Sequence, residues 1–542
     1  MKSLDKFQSI KYSDSKHFLH FNWALVVSLL LLVLFNLTTI SCSDNSTGTD
    51  PAVDPQPQPQ PQPDPPPAAE VAVVEISPRH GWLLTGDTVQ MEVVLRDANG
   101  WALTGREIIF ESSDNDLAEI SESGLLEVKD IGDVTITVSS EGKENTATFS
   151  LKPGGGLRVP ELAVVDSLIT DMIERYDLPG AAVGITRNER LVLLRGYGYA
   201  DRDAGEIMTA DHRFRIASLS KPVAAVAILE LADRGLLDLD QPVFELLNHL
   251  QPLPGAIPDS RLDDILVKHL IQHTGGWDRD VSGDWTWTPH VRTIATDLNI
   301  PGPPNQEEII RWSMGRQLNY DPGSKYAYSN LGYVLLARIV ENVTGQTFED
   351  FVRNEILIPA GAERMVIGNT FFEDRLEGEV RYHDTPTMLS VYPGRGQVEA
   401  AYGGFSLPMR DGQGGWVSSP ADYLRFLHAV DGRPNRHDVV GSSVPEWITT
   451  RPTGPAFDGT TTWYTGFSVR SQSGDYFWSH SGGLPGTRTI VIHRPDGVSY
   501  VIFLNASGSG NIASEVSQIL GAPLNSIPAS EWPNHDLFNH HP

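Results

Sequence analysis

The sequence predicts an α+β catalytic domain preceded by a smaller all-β module. Residues 70–152 alternate apolar and polar side chains in short runs, the pattern of half-buried strands. In residues 158–525, strand-like runs at both ends enclose a middle section with the apolar periodicity of helices. This order favours an antiparallel sheet that is built from both ends of the domain and flanked by helices.

Composition limits the classes of function. The chain has 542 residues, 40% of them hydrophobic and 20% charged, as expected for a soluble folded protein with appendages. Its net charge of −28 argues against binding to nucleic acid and against adsorption to anionic lipid. The sequence has no His-Glu-x-x-His and no zinc-like Cys/His spacing, so we expect no metal and no cofactor.

The first 41 residues read as an export signal. A Lys-bearing start precedes a mostly apolar run over residues 21–39, and Cys42, the only cysteine, follows directly. The site resembles a bacterial lipoprotein signal, although Thr39 stands where Leu is usual. This resemblance implies an exported protein, lipid-anchored through Cys42 to a bacterial membrane, at the periplasmic face or the cell surface. The alternative is an uncleaved helix that spans the membrane.

Residues 42–69 contain Pro-Gln repeated four times, which predicts a semi-rigid linker. In the all-β module of residues 70–152, Val89, Met91, Val93 and Leu95 share one face of a strand. The module resembles a bacterial immunoglobulin-like domain, a family of spacers, and its ligand is left unknown. Three consecutive glycines within residues 153–157 predict a flexible joint, and residues 526–542 are expected to form a tail.

Ser218 and Lys221 form the first candidate catalytic motif. A serine hydroxyl is a weak nucleophile, and an amine one helical turn away can take its proton if burial keeps that amine neutral. The same Ser-x-x-Lys spacing recurs at Ser3, Ser13 and Ser140, so the surrounding sequence must identify the catalytic pair. Only after Ser218 does a segment follow, residues 223–232, that is apolar at every position except Glu230. This predicts a nucleophile at the start of a buried helix, where free N–H groups can stabilise an oxyanion.

Two further motifs stand downstream. Tyr328 and Asn330 lie at a predicted junction between a loop and a helix that ends at Gly345. His480, Ser481 and Gly483 lie in a predicted strand whose glycines allow another backbone or a ligand to approach.

In this order, the three motifs resemble the serine β-lactamase and penicillin-binding-protein superfamily, and the Tyr-x-Asn motif resembles its class C β-lactamase and D-alanyl-D-alanine carboxypeptidase branch. The likeness runs from Leu178 to Asn505. It implies a β-lactamase/transpeptidase-like fold. It also implies roles for the motif residues, which are Ser218 as nucleophile, Lys221 as proton acceptor, Tyr328 as proton shuttle, Asn330, His480 and Ser481 as substrate-binding groups, and the N–H groups of Ser218 and Gly483 as the oxyanion hole.

His480 departs from the class C β-lactamases, which carry lysine there as a fixed cation. Histidine at this position is familiar among carboxypeptidases, aminopeptidases and esterases of the superfamily. An unperturbed histidine titrates near pH 6.5, so contact between His480 and a substrate carboxylate predicts weaker binding as the pH rises. The departure weakens the interpretation as a β-lactamase but not the interpretation as a hydrolase.

Four tryptophans between Trp277 and Tyr320 allow two interpretations, ordinary packing under a long loop or an aromatic rim that selects substrate. His269 and His273 are expected to form hydrogen bonds within the fold.

The sequence thus predicts a membrane-tethered serine hydrolase with an acyl-Ser218 intermediate and a small-molecule or peptide substrate. A D-amino-acid peptide or peptidoglycan fragment ranks first, a carboxylic ester second and a β-lactam third. The alternative is a non-hydrolytic protein that binds penicillin or peptidoglycan, or serves in adhesion.

Overall fold

An antiparallel sheet of nine strands organises the larger domain in the computed structural model, which describes residues 69–540. Its order is β11-β13-β12-β24-β23-β22-β21-β20, and β14 pairs with β13. The strands of this domain are β11 Gly154–Gly155, β12 Gly180–Arg187, β13 Arg190–Asp201, β14 Glu206–Ile207, β15 Phe214–Arg215, β16 Val366–Ile367, β17 Thr387–Leu389, β18 Gln397–Glu399, β19 Trp416–Ser418, β20 Thr462–Tyr464, β21 Ser468–Gln472, β22 Asp475–Leu484, β23 Thr487–His493 and β24 Val498–Leu504.

Helices cover both faces of this sheet, as predicted for an α+β domain. They are α1 Ala163–Arg175, α2 Ser220–Asp233, α3 Val243–Leu246, α4 Val267–Ile271, α5 Arg279–Ser282, α6 His290–Asp297, α7 Gln306–Ser313, α8 Asn330–Thr344, α9 Phe348–Val352, α10 Pro420–His428, α11 Ser443–Thr449, α12 Ile512–Gln518 and α13 Gly521–Asn525. The larger core packs α2, α8 and α10 against one face, and a second core packs α1 and α12 against the other. No helix within the described residues has the length and hydropathy needed to cross a bilayer.

Helix α2 forms where the apolar run predicts it. Pro222 occupies the first turn, where its missing N–H costs no hydrogen bond, and Gly235, at a φ of +69°, follows the last turn. Helix α8 is capped at both ends as well. The Ser329 hydroxyl accepts a hydrogen bond from the Gly332 N–H at 3.3 Å, and Gly345 ends the helix at a φ of +71°.

The N-terminal module is all-β, as predicted. Its strands form sheets in the orders β1-β4-β5, β2-β10-β9-β6 and β3-β8-β7 around a core that includes Val89, Met91 and Leu95. They are β1 Val73–Ser77, β2 His80–Leu84, β3 Thr88–Gln90, β4 Glu92–Arg96, β5 Ala102–Leu103, β6 Ile109–Ser112, β7 Ala118–Ile120, β8 Leu125–Val128, β9 Gly132–Ser140 and β10 Lys143–Lys152.

The glycine-rich segment is not a flexible joint. Gly154 and Gly155 form β11, which pairs with Tyr197 and Gly196 of β13. A Cβ atom on Gly154 would lie 2.6 Å from the Gly196 carbonyl oxygen, so glycine is needed there for close approach of two backbones. The expectation of a flexible joint is therefore corrected.

The described part of the expected tail also belongs to the fold. Leu537 and Phe538 are buried in the larger core. The Asp536 carboxylate accepts hydrogen bonds from the Leu191 N–H at 3.0 Å and from the Arg436 guanidinium at 2.7 Å. The domain therefore continues past residue 525, because its terminal segment covers apolar surface that the sheet would otherwise expose. Cys42 and the leader lie outside the described residues.

The module and the larger domain share a buried polar network. The Arg195 guanidinium donates to Asp87 of the module at 2.7 Å and to Asp166 of α1 at 3.1 Å. The Tyr197 hydroxyl donates to the other oxygen of Asp166 at 2.8 Å. Leu84, next to this network, packs into the core beneath the sheet. The module is thus joined to the larger domain by buried contacts as well as by the chain.

Candidate active site

Ser218 lies in a single turn of 3-10 helix, Ala217–Leu219, that leads into α2. The residue before it, Ala217, has a φ of +50°, a conformation that costs energy for any residue with a side chain. This strained turn sits against β22, where a Cβ on Gly482 would lie 3.0 Å from Ala217 Cβ. Ser218, the predicted nucleophile, is therefore placed at the junction of a buried helix and a close-packed strand.

Lys221 lies one turn further along and is completely buried. Its Nζ is 3.2 Å from Ser218 Oγ and donates a hydrogen bond to the Gln413 carbonyl oxygen at 2.8 Å. Burial holds the pKa of Lys221 well below its ordinary value. The carboxylate of Asp284 opposes this shift, whereas Arg279 and Arg410 reinforce it. The result is an amine that loses its proton more readily than an exposed lysine and lies within reach of the serine hydroxyl.

Tyr328 is the third member of the group. Burial raises its pKa, although the hydrogen bond with Ser218 and the positive charge of Arg279 oppose the rise. The Arg279 guanidinium lies over the ring, 4.6 Å from its centroid. Tyr328 therefore keeps its proton at neutral pH and can donate it, while Lys221 is the group able to accept one.

Asn330 is turned away from the cleft. Its Nδ2 donates to the Asp284 carboxylate at 2.5 Å, and the side chain is 6% exposed. A carboxylate can only accept, so the amide N–H group must face Asp284 and the amide oxygen, Oδ1, is left without a partner. Asn330 does not line the cleft, so its role as a substrate-binding group remains a prediction.

His480 differs most from the sequence expectation. Its Nδ1 lies 2.8 Å from the Ser481 carbonyl oxygen, which can only accept, so Nδ1 carries the proton. Its Nε2 then accepts a hydrogen bond from the Tyr464 hydroxyl. Burial, followed by the charge of Lys221, lowers the pKa of His480 to about 3. The expected titration near pH 6.5 is therefore corrected: the imidazole is neutral and both of its nitrogens are engaged.

The candidate site opens into a cleft of about 790 Å³. Ser218, Tyr328, His480, Ser481 and Gly483 all line it, which brings the three sequence motifs together at one opening. Lys221 lies behind Ser218. The two N–H groups predicted for the oxyanion hole thus belong to residues of the same cleft.

The tryptophans do not form an aromatic rim. Trp277, Trp285 and Trp312 are buried in the core, and Trp287 packs against Arg410 at 3.8 Å from the guanidinium carbon to its ring centroid. None of the four lines the cleft, so the packing interpretation holds for them. The cleft takes its aromatic rings from other positions, Tyr326, Tyr328, Tyr464 and Phe477.

His273 forms a hydrogen bond within the fold, as expected, but it does so beside the site. Its Nδ1 accepts from the Ser329 N–H at 3.1 Å, and its ring stacks on those of Tyr328 and Tyr464, at centroid distances of 4.3 and 4.5 Å. Sequence reasoning missed Gln413 and Asp284. No local motif marks them, because a backbone carbonyl and a loop carboxylate reach the site only through the tertiary fold.

One group within residues 69–540 has the composition of a metal site. His428, Asp431 and His493 are buried, with candidate ligand atoms within 4.8 Å of one another. His428 Nδ1 lies 2.8 Å from Asp431 Oδ2, and His428 Nε2 lies 2.8 Å from Thr186 Oγ1. His493 Nδ1 bonds Ser499 Oγ at 2.8 Å. These mutual bonds identify a structural hydrogen-bond network outside the cleft.

Comparison with known proteins agrees with this geometry. Residues 165–518 match the Beta-lactamase family, and residues 70–149 match the Bacterial Ig-like domain (group 2). The chain is 29% identical over 195 residues to Protein flp of Staphylococcus aureus (strain COL), covering 36% of each chain. The match thus spans about a third of the length of that curated relative. The chain is also 24% identical over 349 residues to Penicillin-binding protein 4* of Bacillus subtilis (strain 168), and this match covers 63% of the chain and 71% of the relative.

Among solved structures, D-amino acid amidase from Ochrobactrum anthropi SV3, complexed with D-phenylalanine, superposes with a TM-score of 0.52. The sequence identity is 23%, and the match covers 68% of this chain and all of the amidase, so it shows a shared fold. The predicted β-lactamase/transpeptidase-like fold and the immunoglobulin-like module are both confirmed. Because the family match covers more than half of the sequence and contains Ser218, Lys221 and Tyr328 in one site, the chain belongs to the Beta-lactamase family.

Proposed function

We propose that the protein is a serine hydrolase that cleaves an amide or ester through an acyl-Ser218 intermediate. The observation that carries this proposal is the contact between Ser218 Oγ, which lines the cleft, and the buried amine of Lys221, whose pKa is lowered, at a distance of 3.2 Å. A neutral amine can accept the serine proton as the oxygen attacks the substrate carbonyl. The N–H groups of Ser218 and Gly483 are suited to stabilise the oxyanion.

The second half of the reaction needs a proton donor and then a water molecule. Tyr328 is protonated and hydrogen-bonded to Ser218, so it can pass a proton to the leaving group, with Lys221 resupplying it. Water then attacks the acyl carbon while the same groups take its proton and return it to Ser218 Oγ. The bond between the acyl carbon and Oγ breaks, and the carboxylic acid product leaves. Lys221 Nζ lies 4.9 Å from the centroid of the Tyr328 ring, so the proposed proton donor and proton acceptor are close together.

For the substrate, we rank a D-amino-acid peptide or peptidoglycan fragment first, a carboxylic ester second and a β-lactam third. The shared fold with D-amino acid amidase supports this order, as does the likeness to Penicillin-binding protein 4*. The neutral His480 supplies no fixed cation, which places β-lactams last.

The test is a panel of a D-Ala-D-Ala peptide, p-nitrophenyl esters and a chromogenic cephalosporin, with Ser218→Ala as the matched inactive variant. We expect turnover of the peptide or the esters by the parent and none by the variant. Stoichiometric acylation without turnover would instead favour a non-hydrolytic penicillin-binding or peptidoglycan-binding protein. Turnover that survives Ser218→Ala would exclude Ser218 as the nucleophile.

We also propose that the protein is exported and tethered by a lipid on Cys42. The lone cysteine directly after an apolar leader supports this, and the Pro-Gln linker would hold the folded part away from the membrane. In a bacterial host, Cys42→Ser should release the protein from the membrane fraction or leave it unprocessed. A variant that partitions and migrates like the parent would support the alternative, an uncleaved membrane-spanning leader.

A further inference from the structure

His273 is a buried histidine beside the site that the proposed mechanism does not use. It follows α4, and its backbone has a φ of +56°, in the left-handed region that few residues with a side chain adopt. Such a conformation persists only where the surrounding structure holds it. The residue is 1% exposed. Filling a core does not by itself require a strained backbone, so we infer the role of His273 from its contacts.

His273 holds the chain on both sides of Tyr328. The Ala327 N–H donates to the His273 carbonyl oxygen at 2.8 Å, and the Ser329 N–H donates to His273 Nδ1 at 3.1 Å. Because Nδ1 accepts, Nε2 carries the proton, and Nε2 has no hydrogen-bond partner within residues 69–540. In that part of the chain, the imidazole therefore forms its hydrogen bond with the residue that directly follows Tyr328.

The first turn of α8 lacks the usual acceptor for the N–H of its N-cap. Ser329 is this N-cap, and in a capping box the side chain three residues further on accepts from the N–H of the N-cap. That position in α8 is Gly332, which has no side chain. His273 Nδ1 takes the place of the missing acceptor. It therefore fixes how the helix begins, directly after Tyr328.

The imidazole also packs on the phenol ring of Tyr328. The two ring centroids are 4.3 Å apart, and the ring planes are inclined by 32°. Burial, followed by the charge of Lys221, lowers the pKa of His273 well below its ordinary value. The ring is therefore neutral near pH 7 and adds no charge beside the catalytic lysine.

Resting on the function proposed above, we propose that His273 is a positioning residue for Tyr328, which acts through the hydrogen bond from the Ser329 N–H to Nδ1. This bond fixes the backbone of Tyr328 and so directs its hydroxyl to Ser218, with which it is hydrogen-bonded. Without the acceptor, a buried N–H is left unpaired and the start of α8 must shift. Displacement of Tyr328 weakens proton donation to the leaving group but leaves the Ser218–Lys221 pair in place.

The dependence of turnover on the leaving group tests this proposal. The substrates are the p-nitrophenyl and p-methoxyphenyl esters of the acyl group that the parent turns over fastest. p-Nitrophenolate is a weak base and leaves without a proton, whereas the more basic p-methoxyphenolate needs a proton donor. His273→Phe keeps an aromatic ring but has no acceptor. It should lower kcat/KM for the p-methoxyphenyl ester at least about tenfold more than for the p-nitrophenyl ester.

Three further variants identify the contact. His273→Asn should keep the parent ratio of the two esters within about threefold, because asparagine tolerates positive φ and its Oδ1 can accept in place of Nδ1. His269→Phe is the matched control and should not change the ratio, because His269 Nδ1 accepts at 3.2 Å from the N–H of Leu266, the N-cap of another helix, α4. In a Tyr328→Phe background, His273→Phe should change kcat/KM less than about threefold, because the group that it positions is absent.

The outcomes separate this inference from the proposed function. If His273→Phe lowers kcat/KM for both esters by the same factor, or if His273→Asn loses as much as His273→Phe, the positioning role is wrong while the hydrolase proposal stands. If circular dichroism shows that His273→Phe is unfolded, His273→Gly replaces it with the same expectation, because glycine adopts positive φ without strain and also lacks the acceptor. If the parent hydrolyses no ester and no peptide, the proposed function fails and this inference fails with it.

Discussion

Lys221 can act as a base because the fold removes its amine from water. The side chain is fully buried, and Arg279 and Arg410 add positive charge nearby. Both influences disfavour the ammonium form, so the free amine predominates at a lower pH than in an exposed lysine. The carboxylate of Asp284 favours the ammonium form, but its effect on the pKa of Lys221 is smaller than that of burial.

The pH dependence of activity follows from this shift. The active form has neutral Lys221, so kcat/KM for a neutral ester should fall as the pH decreases through the lowered pKa of Lys221. Arg279→Gln removes a charge that lowers this pKa, so the acidic limb should move to higher pH. Profiles of parent and variant measure the shift, and Arg395→Gln, which breaks an exposed ion pair with Glu373, serves as the control. An unmoved or downward-shifted acidic limb in Arg279→Gln would contradict the assignment of that limb to Lys221.

The identity of residue 480 does not by itself determine its hydrogen-bond partners or its pKa. The sequence shows a histidine where a lysine is common, but the partners of its two nitrogens come from Tyr464 and the strand backbone. Burial, followed by the charge of Lys221, lowers the pKa of His480 to about 3, although the hydrogen bond with Ser481 opposes the shift. His480 therefore does not titrate in the neutral range, and a pH effect there must come from another group.

At the scale of elements, the site depends on close contact between β22 and the turn before α2. A Cβ on Gly482 would lie 2.6 Å from the Ile216 carbonyl oxygen and 3.0 Å from Ala217 Cβ. Real Cβ atoms do not approach a backbone oxygen so closely, so either the strand or the turn must shift. The strand carries Gly483 of the predicted oxyanion hole, and the turn carries Ser218, the predicted nucleophile, so either shift displaces a group of the proposed site.

We therefore expect Gly482→Ala to lower kcat/KM by at least about tenfold, equivalent to about 1.4 kcal/mol in the activation free energy. The control is Gly302→Ala, because the position of an added Cβ there has no neighbour within 4 Å. Steady-state kinetics compare the activity of the two variants, and circular dichroism compares their folding. Parent-like activity in Gly482→Ala would show that this contact does not position the site.

The elements of the fold were more predictable than their junctions. Helix α2 follows from an almost entirely apolar run and α8 from apolar residues at helical spacing, with Gly235 and Gly345 at their ends. The terminal strands of the larger domain follow from short apolar runs that flank turns, such as the turn at residues 494–497. The prediction of a flexible joint at residues 153–157 was wrong. Glycine permits both flexibility and the close approach of two backbones, and the sequence does not distinguish these two uses. Gln413 and Asp284 were missed because their contacts with the site depend on long-range packing.

At the scale of the whole molecule, the immunoglobulin-like module is part of the folded unit. Arg195 lies between Asp87 of the module and Asp166 of the larger domain, and all three side chains are buried. Burial raises the pKa of both carboxyl groups, and Arg195 opposes that rise. One guanidinium thus compensates two buried acids, one from each domain.

Removing this guanidinium should destabilise both domains. Arg195→Met leaves two buried carboxyl groups without their cation, and we expect a loss of about 3–5 kcal/mol in the free energy of unfolding. Arg96→Met, which removes an exposed ion pair with Glu75, is the matched control and should cost about 0–1 kcal/mol. Thermal and denaturant unfolding measure both variants. Equal stability of the two variants would mean that the shared network does not hold the domains together.

The central claim is that Ser218 is acylated. The most direct measurement is mass spectrometry of the intact protein and its proteolytic peptides after reaction with a slowly deacylating ester or β-lactam. We predict one adduct, located on the peptide that contains Ser218, which is absent in Ser218→Ala and strongly slowed in Lys221→Ala because the base is lost. An adduct on another residue, or unchanged labelling of Ser218→Ala, would contradict the account.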